Sequence, residues 1–188
     1  IRLGDILVGK PGTGIKDGGV VSFDSIEAFA NGYPQRVCML NHPPQVVLTG
    51  LTKLHSLHLT RNNQVETILR EARAKIGQNA QRFACPAQVD RLYLADYSHS
   101  GVFSGICDSC DTSKTVPRRP RNSSAPVIHY GLIASTDRMV QDSIVRDRLS
   151  QQYRVDCIET EAAGVMRALP CLVIRGISHY ADSHRSHD

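Results

Sequence analysis

Two carboxylates separated by one residue, Glu159 and Glu161, follow a short apolar run, Val155–Ile158. A small-residue stretch, Ala162–Leu169, comes next and is stopped by Pro170. A second, largely apolar run, Cys171–Ile177, then ends in the polar cluster Ser178-His179-Tyr180-Ala181-Asp182. Two buried strands, one ending in carboxylates and the other in a His/Asp cluster, fit the ligand crevice at the strand ends of an α/β sheet. A carboxylate accepts two hydrogen bonds at once, which suits the vicinal hydroxyls of a ribose. The same glutamates also suit the first turn of a helix, where they accept backbone N–H groups and offset the dipole. The two readings are compatible, with Glu159 capping and Glu161 facing a ligand.

Other reactive residue types are more weakly patterned. Cys107 and Cys110 form one CxxC pair, and zinc needs two further ligands. His99 is a candidate third, no fourth stands out, and the site reading contains no metal. His179, His184 and His187 crowd the end of the chain beside Asp182 and Asp188, at spacings that match no metal motif. Pro11–Gly19 is rich in glycine but fits neither the P-loop nor the dinucleotide fingerprint, and reads as a mobile loop.

The elements that must position these residues alternate. Asp5–Val8 and Val20–Phe23 read as strands on either side of the glycine-rich loop. A helix starts at Pro43-Pro44, with Val47, Leu48, Leu51, Leu54 and His55 on one face. Asn62 or Asn63 can cap another, with Val65, Ile68, Leu69, Ala72 and Ile76 apolar. From about residue 78 to 126 the pattern dissolves into a long irregular insertion, the mark of a functional loop, a partner-contacting segment or local disorder. Val127–Ala134 is a strong strand, and Met139–Tyr153 an amphipathic helix with Val140, Ile144 and Leu149 near one face. On that helix Asp142 and Arg146 form an i,i+4 pair. Strand and helix alternate over the last 60 residues or so, which argues for an α/β fold with a parallel component.

The bulk composition bounds the rest. The chain has 188 residues, 41% of them hydrophobic and 21% charged, which fits a single soluble domain with a real core. No apolar run approaches the roughly 20 residues of a membrane span, and no leader is visible. The net charge of +4 is mild. Lys114, Arg118, Arg119 and Arg121 surround two prolines without interleaved aromatics, so they read as a solvated loop and not a nucleic-acid surface. The six cysteines show no disulfide framework, and Cys157 and Cys171 read as core thiols. Together these features describe an intracellular, reducing environment, expected to be cytoplasmic.

Four segments, in order and at matching spacing, resemble the purine/uridine phosphorylase family, in particular its methylthioadenosine and adenine-nucleotide nucleosidase members. They are Leu3–Val8, His129–Ser135, Cys157–Gly164 and Val173–Asp182. Asn41–Pro44 and Cys107–Arg121 are similar to the branch found in many fungal proteins, often ahead of NTPase and repeat domains. The resemblance implies a phosphorylase/hydrolase-like three-layer α/β/α sandwich on a mixed central sheet, here incomplete. The first strands, the phosphate-contacting turn and a last helix are expected to lie outside this chain or on another. It also implies cleavage of the N-glycosidic bond of a purine nucleoside or nucleotide, with phosphate or water as acceptor. No cofactor is implied beyond phosphate as co-substrate, and a homo-oligomer is.

Carried over by position, Glu161 matches the carboxylate that holds the ribose hydroxyls, with Glu159 and Thr160 beside it. Thr160 stands where the family has a methionine. Met139, Val140, Ile158 and Ser178 line the base. His179 stands in place of the aspartate that protonates the base, and Asp182 is a substitute acid. A carboxylate on the sugar favours oxocarbenium character, and an acid at the base edge relieves charge on the leaving group, worth roughly 10²–10⁴ in rate. Because of His179 and Thr160, a catalytically impaired nucleoside-binding or sensor module of a larger fungal protein remains the alternative. A metal- or nucleic-acid-binding protein built on the histidine-rich tail and the basic loop is the third reading.

Overall fold

The computed structural model describes residues 1–12, 18–23, 40–61, 64–83, 90–99, 107, 109–121, 123 and 125–184. Its centre is β3 (Ile128–Thr136), whose nine residues run from half-buried to fully buried. β1 (Ile6–Gly9), β2 (Val20–Phe23) and β4 (Val155–Glu159) all pair with it in parallel. β5 (Ile174–Gly176) runs antiparallel along β1, so the sheet is mixed. The fold is therefore α/β, as the alternation of elements implied.

β1 and β2 behave as one interrupted strand. Gly9 is level with Gly131 and Val20 with Ile133. The Lys10 N–H donates to the Gly131 carbonyl, and the Ile133 N–H donates to the Gly19 carbonyl. Alternate residues of a strand offer their backbone groups to the same edge. β1 and β2 thus lie end to end on one edge of β3, with β4 on the other. Gly19 closes the excursion at φ +90°, and a Cβ there would lie 2.5 Å from the Gly9 carbonyl carbon. Only glycine fits such a position without strain.

Alternating side chains build two apolar clusters on opposite faces of the sheet. Leu7, Val20 and Ile133 pack with Ala162, Ala163 and Met166, placing α4 (Ala162–Ala168) on one face. Val21, Phe23, Leu132, Ala134 and Val155 pack with Leu149, placing α3 (Ser143–Tyr153) on the other. At its base, the buried Asp5 carboxylate accepts from the N–H groups of Arg2 and Val127, from His129 and from Arg121. α1 (Gln45–Thr60) rests on Leu51 and on two histidines. His55 lies 2.9 Å from the Lys10 ammonium, and His58 lies 2.8 Å from the Tyr130 hydroxyl. α2 (Val65–Ile76) buries none of its residues.

Several expectations need correction. β5 has three residues, not the seven of the apolar run, and Ile174 is exposed, because among the described residues β5 meets only β1. α3 begins at Ser143, since Asp142 turns its side chain back to cap the N–H groups of Ile144 and Val145. Arg146 is directed instead to Asp147 and Asp182. Leu54 and Ile144 are exposed rather than packed. Asn62, Asn63, Cys38, Cys85, His187, Asp188 and the middle of the glycine-rich loop lie outside the described residues. The basic loop is partly internal, with Arg118 paired to Asp90 at 3.2 Å and Arg121 to Asp5.

Candidate functional site

β4 delivers the paired glutamates. It carries one extra residue, Asp156, opposite the Leu132/Ile133 step of β3. The Asp156 carboxylate lies over Gly131, where an added Cβ would meet it at 1.9 Å, and accepts from the Leu132 N–H. Past this bulge, Glu159 is buried and its oxygens accept from the N–H groups of Glu161 (3.0 Å) and Ala162 (2.9 Å). Ser135 accepts from the Ala163 N–H at 3.0 Å. Glu159 and Ser135 therefore satisfy the first free donors of α4, where negative charge is favoured. Glu159 fits the capping reading; its carboxylate is committed to backbone and is not a free arm for a sugar.

Glu161 is by contrast 61% exposed at its side chain. Thr160 donates to it at 3.0 Å and Arg175, from β5, reaches it at 2.8 Å. The hydrogen bond from Thr160, joined by the neighbouring Glu159 side chain and by Arg175, holds its carboxyl below the usual glutamate range against the opposing effect of burial. The group is thus an ionised pure acceptor at neutral pH. Arg175 also lies 3.8 Å from Glu159, so one guanidinium orients both carboxylates. Sequence reasoning missed Arg175. A lone charge inside the apolar run 171–177 was the signal available.

The segment after β5 turns sharply at Ala181, which adopts φ +52°. Its N–H donates to His179 Nδ1 at 3.1 Å. That ring nitrogen must therefore carry a lone pair, which leaves the proton of the neutral imidazole on Nε2. The Tyr180 hydroxyl donates to Asp90 and accepts from Arg118, and burial pushes it up to about 12. Asp182 is buried beyond the turn. It accepts from the His184 N–H at 3.0 Å and lies 3.4 Å from Arg146. It is not among the residues that line the cavity; held by these contacts, it is a structural anchor in place of the acid expected.

A cavity of about 490 Å³ lies between these segments. Glu159, Thr160 and Glu161 line it from the end of β4, Ser178 and His179 from the segment after β5, and Met139, Val140 and Ile158 add apolar wall. Arg146 and Arg175 supply positive charge to the same lining. Of the residues assigned in the sequence to the nucleoside site, all but Asp182 line it. The volume lies within the roughly 300–1,000 Å³ usual for small-ligand sites.

A second cluster forms beyond Ala181. His99, Cys107, Cys110 and His184 place one potential ligand atom each within 4.8 Å of one another. His184 is the fourth group that was not evident in the sequence, because it lies 74 residues from Cys110. Burial, and then the neighbouring Cys110, push the Cys107 thiol up to about 11. Cys157, under the sheet, is raised to about 11 mainly by burial, as expected of a core thiol.

No family model matches the chain, and no solved structure matches it. Over 185 residues it is 34% identical to a protein of the fungus Hyaloscypha variabilis described as a nucleotide-binding leucine-rich repeat (NLR)-like protein. The match covers 98% of this chain and 18% of that protein, so the chain spans about a fifth of the length of this curated relative.

Proposed function

We propose that the cavity holds a purine nucleoside or nucleotide and that the unit carrying it cleaves the N-glycosidic bond, with phosphate or water as acceptor. The observation that carries this reading is the convergence of Glu161 and His179 on one small-ligand cavity with an apolar wall between them. The mixed sheet with α3 and α4 on its two faces is read as the middle of a three-layer α/β/α sandwich.

The chemistry follows from the charges. Glu161, ionised and oriented by Arg175, accepts hydrogen bonds from the two ribose hydroxyls. As the bond to the base breaks, positive charge grows on the sugar, and a fixed carboxylate favours that state over the ground state. Met139, Val140 and Ile158 offer apolar surface to the base. His179 presents an Nε2–H to the base edge. It acts as a hydrogen-bond donor to the accumulating charge, since its Nδ1 is engaged by Ala181.

That same tautomer favours a second reading, a nucleoside-binding module that senses more than it cleaves. A neutral imidazole is a far weaker acid than a carboxyl group, and the similarity to a protein described as nucleotide-binding leucine-rich repeat (NLR)-like is compatible with a sensing part. The test is incubation of the full-length protein with adenosine, inosine and ATP, with and without phosphate, followed by detection of free base. Release of base supports cleavage; its absence from all three contradicts it. His179→Asp separates the two readings: a rise in rate marks the natural chain as an impaired catalyst, and a fall makes His179 a working one.

A further inference from the structure

We propose that His99, Cys107, Cys110 and His184 bind one structural zinc ion. A tetrahedral Zn²⁺ with sulfur at about 2.3 Å and nitrogen at about 2.0–2.1 Å separates each sulfur from each nitrogen by roughly 3.6 Å. The four sulfur–nitrogen distances here are 3.6 and 3.7 Å from Cys107, and 3.2 and 3.6 Å from Cys110, to the Nδ1 atoms of His99 and His184. Two thiols and two imidazoles at such separations are the donor set and spacing of a tetrahedral S₂N₂ site, which selects zinc among common divalent ions.

The surroundings are prepared for a cation. The other nitrogen of His184, Nε2, donates to the Tyr97 carbonyl at 2.9 Å, so the Nδ1 lone pair faces the cluster. Metal-bound histidines are held this way, by a hydrogen bond on the remote nitrogen. The Tyr93 ring stacks on His184 with centroids 3.9 Å apart. The Ser183 hydroxyl accepts from the His99 N–H at 2.9 Å, and the Asp182 carboxylate accepts from the His184 N–H at 3.0 Å. The Cys110 N–H turns back to the Cys107 carbonyl at 3.2 Å, which brings both sulfurs to one side. With four protein ligands no coordination position is left for substrate, so the ion is structural and not catalytic.

Zinc here cross-links two distant parts of the chain. Cys107 and Cys110, with His99, belong to the irregular region before β3, whereas His184 ends the segment that follows β5. That segment carries Ser178 and His179 into the cavity on one side of Ala181 and His184 into the cluster on the other. The proposed ion thus fixes the far end of a cavity wall.

Elemental analysis of the full-length protein purified without added metal, combined with zinc X-ray absorption, tests the proposal. The expected result is about one zinc per chain in a shell of two sulfurs and two nitrogens. Cys107→Ser with His184→Ala should lose that equivalent, and Cys171→Ser should keep it. Fewer than about one zinc in ten chains after growth in zinc-replete medium would overturn it, as would a Cys107–Cys110 disulfide in the purified protein. A shell of other composition, or zinc retained unchanged in the double variant, would do the same. If the variants do not fold, the metal content and absorption spectrum of the natural protein decide alone.

Discussion

Glu159 and Glu161 are near neighbours held to different tasks, and substitution separates them. Glu161→Gln keeps the shape but removes the charge that accepts a diol. Charge-assisted hydrogen bonds contribute about 1.5–3 kcal/mol, so adenosine affinity measured by calorimetry should fall roughly 10- to 150-fold, with little change in melting temperature. Glu159→Ala should do the reverse at the level of folding. It removes the acceptor for the N–H groups of Glu161 and Ala162 at the start of α4 and should lower unfolding free energy in urea by about 1–2 kcal/mol. Asp5 gives a pH signature. Burial pushes its carboxyl up, but Arg121, the N–H groups of Val127 and Arg2, and His129 together hold it below its ordinary 3.8. A group depressed on folding contributes stability above its unfolded pKa, and that contribution is lost as pH falls through the folded value. Acid titration of the natural protein should show stability falling below about pH 4, and Asp5→Asn should flatten that part of the curve while lowering stability at neutral pH.

Among the elements, the strand pair on one edge of β3 depends on Gly19. Its φ of +90° and the 2.5 Å approach of an added Cβ to the backbone of Gly9 penalise any side chain. Gly19→Ala should destabilise the protein by at least about 1–3 kcal/mol, read as a lower urea midpoint. The alternation β3–α3–β4–α4–β5 was legible in the sequence because apolar runs are punctuated by Asp142, the Glu159–Glu161 pair and Pro170. The details that failed were matters of tertiary context. β5 is short because, among the described residues, only β1 pairs with it. α3 starts late because Asp142 prefers to cap. The face foreseen for α1 is buried or half-buried except at Leu54, whereas the face foreseen for α2 is exposed at Ile68, Leu69 and Ile76, since periodicity reports a face without reporting what meets it.

At the scale of the whole molecule, two sites share one segment, 178–184, divided by the left-handed Ala181. The cavity half was legible, because its residues fall in two short stretches at the ends of consecutive strands. The Cys/His half was not, because its fourth member is joined to the other three only by the path of the chain. Asp182 was misplaced for a related reason: the positive φ of Ala181, a non-glycine residue, has no marker in sequence. The central claim is that Glu161 meets a ribose diol inside this cavity. Calorimetric titration of adenosine and 2′,3′-dideoxyadenosine into the natural protein and the Glu161→Gln variant tests it most directly. The account predicts that the dideoxy compound binds the natural protein at least about 10-fold more weakly and that this gap closes in the variant. Equal binding of the two nucleosides to the natural protein, or binding of neither, would contradict it.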